Sequence, residues 1–165
     1  MKKRSRIQQI VRLAIITALY VVLTIVFSFM SYGDIQFRIA EILILLCFFK
    51  KDYGIALILG CAIANFFSPL GIIDVIFGTI ATALSVLCIM KSKKLFIASI
   101  FPVIFNGIII GLELYYILDL PLFLSMASVA LGEAVVVMLL GNLIFFKLKK
   151  NANFLELIEA NQNYE

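Results

Sequence analysis

The sequence predicts an all-α, polytopic membrane protein: a compact six-transmembrane-helix bundle with both termini cytoplasmic. Three observations predict it. Hydrophobic residues make up 64% of the 165-residue chain and charged residues only 15%, with a mean hydropathy of +1.13. A soluble domain is usually about 45–50% apolar and about 25% charged, and one this small could not hide so much apolar surface. The apolar residues gather in six runs, and stretches such as Ala14 to Phe29 are apolar on every side, without the alternation of a β-barrel strand. Finally, thirteen of the fourteen Lys and Arg residues fall on one side if the runs are six spans. Five or seven spans would break that sorting, which places the basic side in the cytoplasm.

Each run has its own warrant. Residues 13–33 carry no charge and follow Lys2, Lys3, Arg4, Arg6 and Arg12. That is enough for the roughly 20 residues a membrane helix needs, and too long for a signal peptide. Ala14-x-x-x-Ala18, with Thr17, makes a smooth patch there on which another protein's helix could dock. Residues 35–49 form a shorter span interrupted by Arg38 and Glu41, and Lys50 and Lys51 follow it. Residues 53–67 end at Ser68-Pro69-Leu70-Gly71, a turn signal. Residues 71–90 hold Asp74 near their start, and Lys91, Lys93 and Lys94 follow. Residues 95–116 hold Glu113 near their end, and residues 122–146 hold Glu133 near the middle, before Lys147, Lys149 and Lys150. The membrane domain is thus residues 1–150. Residues 151–165 form a short polar cytoplasmic tail, helical or disordered, with one amphipathic stretch at Phe154 to Ile158. No internal repeat supports an inverted-repeat transporter.

Composition excludes several functions. The net charge of +4 suits nucleic acid in a soluble protein, but here the bases are spent on topology. Histidine is absent, which removes histidine-based metal sites and histidine acid–base catalysis. Cys47, Cys61 and Cys88 are odd in number, form no Cys-x-x-Cys and lie in apolar runs, so they read as small hydrophobes. No metal and no cofactor is expected. No P-loop motif occurs, so an ATPase would have to be borrowed.

The opposite side is acidic. Asp34, Glu41, Asp74, Glu113 and Asp119 lie there, and Glu133 reaches about 16 Å deep at 1.5 Å per residue. Arg38 is the single base among them. Charges at membrane depth usually face a bundle interior or a wet cavity. Such a cavity favours a cationic ligand or one rich in N–H donors. Blander readings exist for some of these residues. Arg38 and Glu41 are spaced to pair with each other. Asp34 and Asp119 read as solvated loop acids, and Asp74 as a first-turn residue favoured by the helix dipole. Glu113 and Glu133 have no basic neighbour in their own helices. Asn106 shares a helix face with Glu113, beside Gly107 and Gly111. Asp74, Gly78, Ala81 and Ser85 form a small polar stripe, and Ala56, Gly60 and Ala64 form another that ends at Asn65. Phe37, Phe66, Phe67, Tyr115, Tyr116 and Phe123 read as an aromatic belt, from which one or two could stack on a flat heterocycle.

Several segments carry a family resemblance: Gln36-Phe37-Arg38-Ile39-Ala40-Glu41, the block from Ala64-Asn65-Phe66-Phe67-Ser68-Pro69-Leu70-Gly71 through Asp74 and Gly78 to Thr79, Asn106, Gly111-Leu112-Glu113-Leu114 and Leu131-Gly132-Glu133. Together they resemble the substrate-binding S-components of energy-coupling factor (ECF) transporters, and more narrowly the QueT family of queuosine-precursor S-components. The likeness covers most of residues 8–150, and the Asn65 to Thr79 block is its most specific part. The family pattern often has Ser where Ala40 stands.

The resemblance implies a non-enzymatic subunit of the bacterial plasma membrane. It would capture a 7-deazaguanine such as preQ1 from outside and pair with an ECF T-component and two ABC ATPases. Docking would use Ala14 and Ala18. Substrate-binding candidates are Glu113, Glu133, Asp74, Glu41, Asn106, Asn65 and Arg38. Glu113 and Glu133 would be the two ligand carboxylates, Asp74 and Glu41 would support them, and Asn106 or Asn65 would meet the ligand carbonyl. Two alternatives are an S-component for another cationic or amide-rich vitamin such as thiamine, and an intramembrane enzyme using Glu113 and Glu133 as acid and base.

Overall fold

The computed structural model describes residues 6–31 and 37–160. Among them every regular element is helical. Asp34 and Gln36, and the basic residues Lys2, Lys3 and Arg4, lie outside the described residues.

Helix α1 spans Arg6–Val26 and is followed by a helical turn, Ser28–Ser31. It begins seven residues before the uncharged run, because the helix continues through the basic residues that flank its apolar stretch. Helix α2, Ile39–Phe49, is tightly wound as a 3-10 helix over Ile39–Leu45 and becomes α-helical at Leu46–Phe49. Helix α3 is Tyr53–Asn65 and α4 is Ile72–Ile89. Gly71, which opens α4, has φ +55° and ψ −118°, a backbone conformation for which only glycine is suited. Helix α5, Leu95–Leu118, is interrupted at Ser99, and Pro102 lies in the first turn of its continuous part, Ile100–Leu118, where a missing N–H costs little. It ends at Asp119 in the left-handed conformation, which Asp tolerates better than most residues. Helix α6, Leu122–Leu148, is α-helical to Glu133, widens into a π-helix over Ala134–Gly141, and resumes as α-helix at Asn142–Leu148. Asn151 caps the short α7, Ala152–Leu157, by accepting from the amides of Asn153 and Phe154.

Four helices, α1, α4, α5 and α6, are long and apolar enough to cross a membrane. At 11 and 13 residues, α2 and α3 are apolar but shorter. Neighbours pack in a closed circuit: α1 on α3, α3 on α4, α4 on α5, α5 on α6, the π segment of α6 on α2, and α2 on α1. Glycines set the closest approaches. A Cβ at Gly107 would stand 3.0 Å from the Ala130 Cβ, and one at Gly111 would stand 2.8 Å from the Met126 Cα, so α5 and α6 meet through the Gly-x-x-x-Gly face. At Gly60 a Cβ would stand 3.0 Å from the Tyr20 Cβ, which brings α3 against α1.

One end of the bundle is basic and apolar. Phe49, Phe145 and Phe154 pack ring on ring there, with centroids 5.5–6.2 Å apart. The tail folds onto this end. The Tyr53 hydroxyl donates to the Ile158 carbonyl at 3.0 Å, and Glu159 accepts from Arg12 at 2.8 Å and from Lys50 at 2.5 Å. Those two cations hold the Glu159 carboxyl well below the usual range, at about 2. The tail therefore joins the start of α1 to the α2–α3 turn, and both described ends of the chain meet at one end of the bundle.

Candidate functional site

The antiparallel path brings the start of α2, the end of α3, the start of α4, the end of α5 and the first half of α6 to the other end. Here the buried polar residues collect. Arg38, Glu41, Asn65, Asp74, Asn106, Glu113 and Glu133 are all at most 7% exposed. The structure thus brings every charged and amide residue singled out for substrate binding into one buried set.

Three hydrogen-bonded groups and Glu113 compose it. In the first, Arg38 Nη2 donates to Asn65 Oδ1 at 2.9 Å. The Asn65 amide nitrogen in turn donates to the Asp74 carbonyl oxygen at 3.0 Å and to Cys61 Sγ at 3.4 Å. A Cβ at Gly78 would collide with that amide nitrogen, so glycine makes the Asn65 position possible. Ser68 holds the Asp74 carboxylate by its hydroxyl and accepts from the Gly71 amide at 3.1 Å. In the second group, Glu41 Oε1 accepts from the Tyr20 hydroxyl at 2.6 Å and from Thr82 at 3.5 Å. In the third, Asn106 Nδ2 donates to Glu133 Oε1 at 3.0 Å.

Arg38 and Glu41 do not pair directly. Asn65 takes the guanidinium, and Tyr20 and Thr82 take the carboxylate. Arg38 instead lies within electrostatic range of Glu41, Glu113 and Glu133 together, from its place at the head of α2. The Glu113 carboxyl faces that of Asp74 where α4 packs on α5.

The buried atoms left without a hydrogen-bond partner show what this set can do. They include both oxygens of Glu113, Oε2 of Glu133, Oε2 of Glu41 and Oδ1 of Asn106, five acceptors in all. Burying such atoms unpaired costs about 1–3 kcal/mol each, and more when charged. A ligand carrying several N–H donors would satisfy them.

Other residues stand elsewhere. Asp119 is exposed. Phe66, Phe67, Tyr116 and Phe123 are more than 60% exposed and point out of the bundle, as an aromatic belt does. Ser85 turns back to the Ala81 carbonyl, and Thr82 is the hydroxyl of α4 that reaches Glu41. Tyr20, Ser68, Thr82 and Cys61 are members that sequence reasoning missed. Thr82 continues the Asp74–Gly78 spacing by four, which was the available signal. Cys61 is packed as expected and also accepts weak hydrogen bonds from Asn65 and Thr82.

Ala14 and Ala18 lie outside this set, on the exposed face of α1. They line an apolar groove of about 620 Å³ between α1 and α3, with Leu13, Thr17, Ala56 and Leu59. The Thr17 hydroxyl donates to the Ala56 carbonyl at 2.9 Å and ties the two helices together beneath it.

Residues 10–150 match a family model described as QueT transporter. A protein of Lactococcus lactis subsp. cremoris, queuosine precursor transporter QueT, is 40% identical over 147 residues, covering 79% of this chain and 86% of the relative. No solved structure matches.

Proposed function

The chain belongs to the QueT transporter family, a multi-pass membrane family of transporters, and from that premise we propose that it is the substrate-binding S-component of an ECF-type ABC importer. Its substrate is a queuosine precursor, a 7-deazaguanine such as preQ1, taken from the outer side of the bacterial plasma membrane. All six apolar helices of residues 1–150 cross the membrane in this reading. The basic end and both termini face the cytoplasm, and residues 151–165 form a cytoplasmic tail.

The observation that carries the substrate reading is the set of five unpartnered buried acceptors. A guanine-type edge presents adjacent N–H donors, which a carboxylate can accept in a bidentate manner. Glu133 or Glu41 is suited to that edge. The aminomethyl cation of preQ1 is suited to Glu113 and Asp74, two acids that face each other. The groove at Ala14 and Ala18 is the docking surface for the T-component, whose two partner ATPases supply the energy.

Calorimetric titration of the purified protein with preQ1 tests the site. Glu113→Gln and Glu133→Gln should each weaken binding about 10- to 100-fold, the worth of a charge-assisted hydrogen bond. Unchanged affinity in both variants sinks the assignment.

A further inference from the structure

The five unpartnered acceptors explain how the site meets N–H groups, but a guanine-type edge also carries an acceptor, the ring carbonyl. Its donor must come from the protein. The asparagines are poor sources. Both amide hydrogens of Asn65 are engaged, one by the Asp74 carbonyl and one by Cys61, and Asn106 gives one of its two to Glu133. The Tyr20 and Ser68 hydroxyls donate to carboxylates, and that of Thr82 is shared between Glu41 and Cys61. The Thr79 hydroxyl is buried without a partner but carries no charge. Among the described buried side-chain atoms without a partner, the single nitrogen is Nη1 of Arg38.

Arg38 is held for such a task. It is 3% exposed, its other terminal nitrogen is fixed by Asn65, and the missing Cβ of Gly78 leaves room for that asparagine. It also lies among the three glutamates. A donor beside carboxylates reproduces the complement of a carbonyl next to ring and exocyclic N–H groups. We infer that Arg38 is the specificity-determining residue of the site: its Nη1 donates to the ring carbonyl, admitting an oxo group there and rejecting an amino group. The inference rests on the reading of the substrate as a 7-deazaguanine.

Two probes test it by calorimetry on the full chain: preQ1 and its 2,6-diamino counterpart, in which an amine replaces the carbonyl and the adjacent ring N–H becomes an acceptor. The wild-type protein should bind the diamino compound about 100-fold more weakly, since a guanidinium would face a donor and a carboxylate an acceptor. Arg38→Met should bind preQ1 more weakly and shrink that preference about tenfold, because the donor to the carbonyl is gone while the ring N–H mismatch stays. Asn65→Ala keeps the charge but frees the guanidinium, and should narrow the preference in part. A preference as large in Arg38→Met as in the wild type overturns the inference and leaves the substrate reading standing. If Arg38→Met does not fold, Asn65→Ala decides, and an undiminished preference there overturns the inference, as does equal affinity of the wild type for both compounds. A wild-type protein that binds neither compound overturns the substrate reading and this inference with it.

Discussion

Glycine at position 78 is the smallest part of the site and one of its firmest constraints. The Asn65 amide occupies the space a Cβ would need, and Arg38 Nη2 lies 3.6 Å from the same point. Gly78→Ala must therefore push Asn65 away and strain its bonds to Arg38, the Asp74 carbonyl and Cys61. Overpacking of this kind costs about 1–3 kcal/mol. The expected outcome is a lower melting temperature together with weaker preQ1 binding, and a variant that melts and binds like wild type would show that Asn65 is not fixed by this contact. The residues legible in the sequence were those whose presence is costly. Glu113, Glu133 and Asn106 announce themselves because a charge or amide in an apolar run demands a partner. Tyr20, Ser68 and Thr82 were silent because a hydroxyl in a membrane helix is cheap: it can return to the preceding turn, as Thr24 does to the Tyr20 carbonyl.

At the scale of elements, run length and charge gave most helices to within a few residues, since an apolar run between charged ends has few other ways to satisfy its backbone in lipid. Winding was not legible. Nothing in Ile39–Leu45 announces a 3-10 helix, and nothing in Ala134–Gly141 announces a π-helix directly after Glu133. These two segments pack against each other, a contact between elements far apart in sequence. The π segment yields a prediction. Deleting one residue within 135–140 should restore regular α-helix and turn Glu133 about 100° relative to the end of α6. Loss of preQ1 binding with unchanged helical circular dichroism is expected, and retained binding would argue against a fixed Glu133. The tail gives another. Glu159 is held at about 2 by Arg12 and Lys50, below the roughly 4.3 of a free glutamate. Its contribution to stability is therefore complete above that free value and fades as pH falls toward the folded one. Glu159→Gln should lower the melting temperature by a constant, salt-sensitive amount from about pH 5 to 8 and by less in stronger acid. A difference that grows on acidification would refute the ion-pair account.

At the scale of the whole molecule, the proposed function gives two regions different jobs. The acidic end holds the buried polar set, while Ala14 and Ala18 open a groove along α1 and α3. Filling that groove should separate the jobs. Ala14→Leu or Ala18→Leu is expected to abolish uptake of labelled preQ1 by cells while leaving affinity of the purified protein within about twofold. Normal uptake by both variants would exclude the groove as the docking surface. The shortness of α3 carries a further consequence for this face. Thirteen residues rise only about 20 Å, against a hydrocarbon core about 30 Å thick. In the proposed six-span reading, acyl chains lying along α3 would have to compress to match it, at a cost of a fraction of a kcal/mol per Å of mismatch. A partner helix seated there would displace those lipids and release the elastic strain, so bilayer thickness itself would become a term in the affinity of the proposed assembly.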